Sequence, residues 1–399
     1  MELQPRSAAI PPGPDAHCAP PAVSVIVAAR DAAPTLPACL ASLVALDYPD
    51  FDVVVSDDGS RDETAAIARS FGVRVIDGGG RGPSAARNLA VAASTSAVVA
   101  FTDADCEVPR HWLRALVGGL VRSGAASVGG RQRNVFDRDW PQRHGDTEGQ
   151  GPGPGGQGPG PGGQEPDARA EDLLSVAQGF SPATARHEPR NVSVAQGFSP
   201  ATAGHEPRND AEALDAFFSL ASVVAEYTRS EAAEREVDHN ASCNSAYRRD
   251  AFVEVGGFAE GLWPGEDVDL DYRLRRRGYR CYYVPDAVVV HHRPSDPQWF
   301  RRMMRRYGRT QRELVRRHGR FRALHWMPPA LLALALAQLL WLPARTRAAP
   351  ACLDAALAAT CVILLARHVP RRLWGPVLRY ATLALAEWNR GFAEGPDAA

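Results

Sequence analysis

The chain has 399 residues, 45% of them apolar, enough to bury a sizeable core in one large domain or two ordinary ones. Its 45 basic residues are all arginine and nearly balance 46 acidic ones; the formal net charge of -1 gives no global reason to expect nucleic-acid binding. The 7 cysteines (Cys18, Cys39, Cys106, Cys243, Cys281, Cys352 and Cys361) are odd in number and never spaced Cys-x-x-Cys, which argues against a zinc ribbon or disulfide framework and suits a reducing cytosol.

Residues 1–21 are Pro-rich, lack the basic-then-apolar order of a secretion signal, and are expected to be a disordered leader. Val23–Ala28 is β-branched and uncharged, the pattern of a buried strand. Leu36, Leu40, Leu43 and Leu46 recur at steps of three and four, which predicts a helix over 36–46. A second strand is expected over 52–56. Ser60 followed by Glu63 reads as a capping box for a helix over 61–70. A third strand at 73–76, a Gly-rich turn at 78–82, a helix at 83–93 and a fourth strand ending at Asp103 follow. The alternation predicts an α/β fold, a mostly parallel sheet with helices on both faces. Ligand sites in such sheets form beyond the carboxyl ends of the strands. Asp57-Asp58 and Asp103-Ala104-Asp105 stand at two such ends.

Residues 141–210 break the pattern. Pro152–Gln164 is almost only Gly, Pro and Gln, and Ser175–Asn191 recurs at Ser193–Asn209 with one change, Arg186 against Gly204. Two polar copies build no solenoid core, so the block is expected to be a disordered insertion. Order is expected to resume at Leu214–Val224. Residues 22–140 and 211–322 are thus the two halves of one folded domain. In 323–399, His325–Ala344 has no Asp, Glu or Arg, and Ala348–Ala366 is interrupted by Asp354 alone. At about 1.5 Å per residue, some 20 residues reach the roughly 30 Å of a bilayer core. The short link Arg345-Thr346-Arg347 suits an apolar helical hairpin with both arginine-rich flanks in the cytoplasm; two packed soluble helices are the alternative. Trp374–Trp388 is too broken by Gly375 and Arg379 for a third span.

Four motifs carry chemistry. Alternate carboxylates leaving a strand at Asp103 and Asp105 suit a hard divalent cation, Mg²⁺ or Mn²⁺, shared with substrate phosphates; a solvated turn has the same sequence. Asp57-Asp58-Gly59 sits at a strand-to-helix turn, where an Asp can accept from a nucleobase or ribose. Gly82-Pro83-Ser84-Ala85-Ala86-Arg87-Asn88 opens a helix whose free N–H groups favour anions, and Arg87 adds a phosphate-type donor. Gly265-Glu266-Asp267-Val268-Asp269-Leu270-Asp271 places acids at a helix start and arginines at its end. The helix dipole accounts for that by itself, and also keeps Asp267 ionised as a general base. His291-His292 follows an expected strand, 287–290, and can supply a metal-ligating imidazole.

In this order the motifs resemble the family 2 glycosyltransferases, with Asn240-Ala241-Ser242-Cys243-Asn244 and Gly256-Gly257-Phe258 before Glu266-Asp267. The resemblance covers Val23 to about Asp105 and Val237–His292. It implies a GT-A fold, a Rossmann-like mixed sheet, with the nucleotide-sugar half at 22–140 and the acceptor side at 211–322. It also implies residue roles: Arg30, Asp58 and Arg87 at the donor nucleotide, Asp103 at ribose and metal, and Asp105 on the metal. Asp267 would be the catalytic base, Glu266 its support or an acceptor contact, and His291 a metal ligand with His292 in reserve. Inversion by one displacement from a nucleotide-diphosphate donor follows. The Gln-x-x-Arg-Trp of processive members is replaced by Gln298-Trp299-Phe300-Arg301-Arg302, which implies transfer of a single sugar. Arg301–Arg322 is placed to meet an anionic lipid acceptor or membrane surface, with the catalytic domain on the cytoplasmic face. Two rivals stand beside this reading. A nucleotidyltransferase would want a Gly-rich loop where Ala28-Ala29-Arg30-Asp31 stands, and an inactive membrane scaffold would not need Asp105 and Asp267.

Overall fold

The computed structural model describes residues 20–137, 210–225, 233–322, 325, 365–367 and 369–395. The leader, the repeat-bearing insertion and nearly all of both apolar C-terminal runs lie outside the described residues.

Nine strands are described: β1 (Val23–Ala29), β2 (Phe51–Asp57), β3 (Arg74–Asp77), β4 (Val98–Asp103), β5 (Cys106–Glu107), β6 (Ser127–Asp137), β7 (Arg235–Val237), β8 (Ser245–Arg248) and β9 (Cys281–Pro294). Nine α-helices accompany them: α1 (Leu36–Val44), α2 (Thr64–Ser70), α3 (Pro83–Ala92), α4 (Trp112–Ser123), α5 (Asp210–Ala225), α6 (Arg249–Glu254), α7 (Glu266–Arg276), α8 (Pro297–His318) and α9 (Trp374–Glu394). The strands form one mixed sheet in the order β3-β2-β1-β4-β8-β6-β9-β5, with β7 paired to β9. β3, β2, β1 and β4 run parallel; β8 is antiparallel to β4 and β6, and β6 runs parallel to β9. The expected mostly parallel sheet is therefore parallel in its first half and mixed in its second.

Alternation along β1 and β4 explains the two layers. Val23, Val25 and Val27, with Val98 and Ala100, join Leu36, Leu40 and Leu43 of α1 and Trp112, Leu116 and Leu120 of α4 in one core. Ile26, Val99 and Phe101 point into the other, with Ala90 of α3, Phe252 of α6 and Leu270 and Leu274 of α7. Phe101 anchors that side through edge and stacked contacts at 5.1–5.8 Å with Phe258, Phe252 and Tyr247. The capping box expected at Ser60 does not form. The helix begins at Thr64, Ser60 Oγ instead accepts from the Asp31 N–H at 3.0 Å, and Asp62 accepts from the Thr64 N–H at 3.0 Å. Competing partners in the neighbouring loop outweigh the local motif.

The arginine-rich stretch forms α8, which starts on a side-chain cap: Asp296 accepts from the Gln298 and Trp299 N–H groups at 2.9 and 2.8 Å. Its arginines are largely occupied within the fold. Arg301 pairs with Glu387 at 2.7 Å, and Arg305 and Arg309 both pair with Glu394 of α9. The two helices cross closely: a Cβ on Gly308 would stand 2.0 Å from the Trp388 carbonyl, and one on Gly391 1.9 Å from that of Arg305. The segment too broken for a span is thus a 21-residue helix whose Gly391 makes room for α8. Among the described residues no helix is long and apolar enough to cross a membrane.

Candidate active site

The parallel half of the sheet delivers Arg30, Asp58 and Asp103 to the carboxyl ends of β1, β2 and β4. Asp58 is 2% exposed and accepts from the Gly82 N–H at 3.2 Å, clasping the Gly78–Gly82 turn at the start of α3. Burial raises its carboxyl above the usual range, and neighbouring Arg30 counters that. The buried Nε of Arg30 has no hydrogen-bond partner. An unpaired polar atom in a protein interior is costly, and Arg30 directly follows β1, at the strand ends where such folds bind ligands.

Asp103, Asp105, Cys106 and His291 converge. One ligand atom from each lies within 4.8 Å of the others. Antiparallel pairing sets Cys106 opposite His291, and Asp105 O accepts from the His292 N–H at 2.9 Å, so the two histidines point to different places. His291 Nε2 stands 3.2 Å from Asp105 Oδ1, whereas His292 Nε2 stands 2.8 Å from Glu107 on the strand edge. The structure therefore brings His291, not His292, to the aspartates. Burial and Arg293 disfavour the charged His291 ring, but Asp105 outweighs them and lifts it to about 9. Burial would raise Asp105; His291 opposite holds it below its ordinary value. Two carboxylates and an imidazole fit a hard divalent cation completed by phosphate oxygens.

Arg87 and Glu266 form the link to the second half. The Arg87 side chain is 3% exposed and reaches Asp103 at 2.6 Å and Glu266 at 2.8 Å. Ser242 Oγ donates to the same Glu266 oxygen at 2.9 Å, and the Gly265 N–H to the other at 2.9 Å. Glu266 is 1% exposed and fully engaged, so it supports the site. Asp267 is only partly buried. Its Oδ2 accepts from the Ser242 N–H at 3.2 Å and its Oδ1 from the Val268 N–H at 2.7 Å. Each oxygen keeps a free lone pair. Burial pushes its carboxyl up to about 6, and the adjacent buried Glu266 is raised as well.

Ser242, Cys106 and Cys243 escaped the sequence reading as site residues. Cys106 had one signal, its place directly after Asp105, and Ser242 lay inside the Asn240–Asn244 segment. The asparagines of that segment are structural. Asn244 Nδ2 donates to the Arg131 and Ala287 carbonyls at 2.9 and 2.8 Å, while its Oδ1 accepts from Trp112 Nε1 at 2.7 Å. Asn240 N–H donates to Asp271 Oδ2 at 2.6 Å. They pin the turn that presents Ser242 and Cys243.

Asp271 itself is fully buried, and burial pushes its carboxyl up to about 7. A raised acid in the folded state stabilises at low pH, and that contribution is lost as pH climbs through about 4 to 7. Asp271→Asn keeps a carbonyl for the Asn240 N–H. It is expected to flatten the fall in urea midpoint between about pH 4 and 7; an unchanged slope would exclude Asp271 as its source.

The description "Glycosyl transferase family 2" matches residues 24–180, and "Glycosyl transferase family group 2" matches 241–369. Between them the two matches span well over half of the chain. A pre-mycofactocin glycosyltransferase of Mycobacterium tuberculosis is 28% identical over 314 residues, covering 76% of this chain and 51% of that protein. Glycosyltransferase AglE of Haloferax volcanii is 35% identical over 118 residues, 28% of this chain and 39% of its own length. The chain thus spans about half or less of these curated relatives. The solved mannosyltransferase of Pyrobaculum calidifontis, in complex with GDP-Man and Mn²⁺, superposes with a TM-score of 0.50 at 20% identity, covering 95% of this chain and 89% of that one. At that identity the likeness speaks for the fold, a GT-A-like mixed α/β sheet. With both halves of the chain matched and the strand-end carboxylates in the expected order, the chain belongs to the family 2 glycosyltransferases.

Proposed function

We propose that the chain is an inverting transferase that moves a single sugar from a nucleotide-diphosphate donor to a hydroxyl acceptor. The observation that carries this reading is Asp267, a partly buried carboxylate held by two backbone N–H groups beside the Asp103–Asp105–His291 cluster. Arg30 and Asp58 hold the nucleoside side, Arg30 through its unpaired Nε. Asp103, Asp105 and His291 would hold a divalent cation, Mn²⁺ or Mg²⁺, which when bound would supply positive charge against the leaving diphosphate. Asp267 accepts the proton of the acceptor hydroxyl, whose oxygen attacks the anomeric carbon from the face opposite the diphosphate. One base and one displacement invert the configuration, unlike hydrolysis with two flanking carboxylates. Arg87 holds Asp103 and Glu266 in register, and Glu266 fixes the start of α7.

The acceptor class we infer is a lipid-linked or envelope glycan, met at the cytoplasmic face of the membrane. The apolar sequence runs at 325–344 and 348–366 support that placement. Because α9 occupies much of the α8 arginine face, membrane contact rests on those runs more than on guanidiniums.

Nucleotide release from a panel of nucleotide-sugars, first with Mn²⁺ and then with Mg²⁺, tests the reading. Release is expected with one donor class, to stop on chelation, and to fall at least about tenfold in Asp105→Asn, as loss of a ligand exceeds the 10–100-fold cost of outer-sphere changes. Equal rates with and without chelator would overturn the metal assignment.

A further inference from the structure

Behind the cation cluster, a side chain of β6 holds the far nitrogen of the imidazole. Asn134 pairs with His291 in the parallel β6–β9 ladder. Alternation carries Gln132 and Asn134 of one strand, and His291 and Arg293 of the other, into one polar patch. His291 Nε2 faces Asp105, 3.2 Å from its Oδ1, while Nδ1 lies 3.0 Å from Gln132 Nε2 and 3.3 Å from Arg293 Nη2. Asn134 Oδ1 accepts from Gln132 Nε2 and from Arg293 Nε, both at 2.9 Å. Gln132 Oε1 accepts from Cys243 Sγ at 3.6 Å. Gln132 thus ties the ring to β6 and to the Ser242–Asn244 turn, and no step of transfer uses it.

An imidazole that offers Nε2 to an ion carries its proton on Nδ1, and that N–H needs an acceptor. Arginine has none. Gln132 has one: a half turn of its terminal amide exchanges Oε1 and Nε2 with little change of shape. We propose that Gln132 is the positioning residue of the cation site: its amide oxygen accepts from His291 Nδ1–H, which fixes the ring and leaves the Nε2 lone pair for an ion at Asp103 and Asp105. After the half turn Asn134 Oδ1 keeps the Arg293 Nε–H, and the Cys243 sulfur meets the amide N–H₂. Arg293 is also held over the rings of Phe218 and Trp299, 5.6 and 6.0 Å from their centroids, so its Nη2 can leave Nδ1 without the side chain losing its seat.

The inference rests on reading Asp103, Asp105 and His291 as a cation site, and not on which sugar is moved. Mn²⁺ alone, titrated into the full-length, chelator-treated protein and read by electron paramagnetic resonance, tests it. Gln132→Leu removes the acceptor and is expected to weaken binding about 10–100-fold, the usual worth of an outer partner to a metal-bound histidine. Gln132→Glu offers an oxygen in either orientation and is expected to bind at least as tightly as the wild type. In a His291→Asn background, where the N–H is gone, Gln132→Leu is expected to change affinity less than about threefold. An equal loss in both backgrounds, or wild-type affinity in a folded Gln132→Leu protein, overturns the inference. If Gln132→Leu does not fold, Gln132→Glu decides: tightening that depends on His291 supports it, and equal tightening in both backgrounds, the mark of charge acting through space, overturns it. A wild type that binds no Mn²⁺ sinks the cation reading and this one together. Coupling between Gln132 and His291 without turnover of any donor would instead sink the transferase reading and leave this one standing.

Discussion

Asp267→Asn is expected to lower kcat by about 10²–10⁴-fold, the usual worth of a positioned base. The change removes the proton acceptor with little change of shape. One backbone partner keeps its acceptor, while the other meets an amide N–H₂, at a cost of about 1–3 kcal/mol. The fold should therefore survive, which thermal melting checks. Donor affinity should stay near wild type, because Arg30, Asp58, Asp103 and Asp105 are untouched; the loss then falls on kcat and not on KM. The wild type carries a second signature. Asp267 titrates near 6 and works deprotonated, so kcat/KM falls as pH drops below about 6. That acid limb disappears in the variant. A folded Asp267→Asn enzyme with wild-type kcat would remove Asp267 from the mechanism.

Arg87→Met is expected to destabilise the fold by about 3–5 kcal/mol, because it strips a buried cation from two carboxylates and leaves them uncompensated. Arg87 is 3% exposed, Glu266 side chain 2% and Asp103 27%, so Glu266 bears most of the burden. Its already raised carboxyl can take up a proton, which brings the cost towards the lower end of that range. The instability should consequently ease at lower pH, where Glu266 is protonated. Arg87→Lys keeps the charge but not the fork that spans both acids, and should fall between wild type and Arg87→Met. Urea unfolding at two pH values separates these outcomes; a loss below 1 kcal/mol would mean the pair is not what ties the halves together.

Much of the first half was legible because its signals are local. Buried parallel strands read as apolar runs, and α1 shows its leucines at helical spacing. The second half hides its logic in long-range pairing. β8 is a four-residue strand between β4 and β6, and β9 spans 14 residues through Pro285 and charged positions. No window of sequence announces β8, and of β9 only the apolar segment 287–290 does. The same division holds in the site. Asp103, Asp105, Glu266, Asp267 and His291 announced themselves as motifs. The link from Arg87 to Glu266 crosses 179 positions, and Ser242 matters only because the sheet carries its turn to α7. Arg87 lay in a legible motif, yet its closest partners are two carboxylates of its own chain.

The turn at residues 241–244 has a consequence for anyone redesigning the enzyme. One short segment touches the base through the Ser242 N–H and its support through Ser242 Oγ, and reaches the imidazole through the Cys243 thiol, which donates to Gln132, whose amide nitrogen stands 3.0 Å from the His291 ring. Metal preference and working pH are therefore not separate dials. A library selected for turnover with a different ion should return variants whose pH optimum has drifted, and a library selected for activity in acid should return altered ion preferences, with the changes gathered on these four positions.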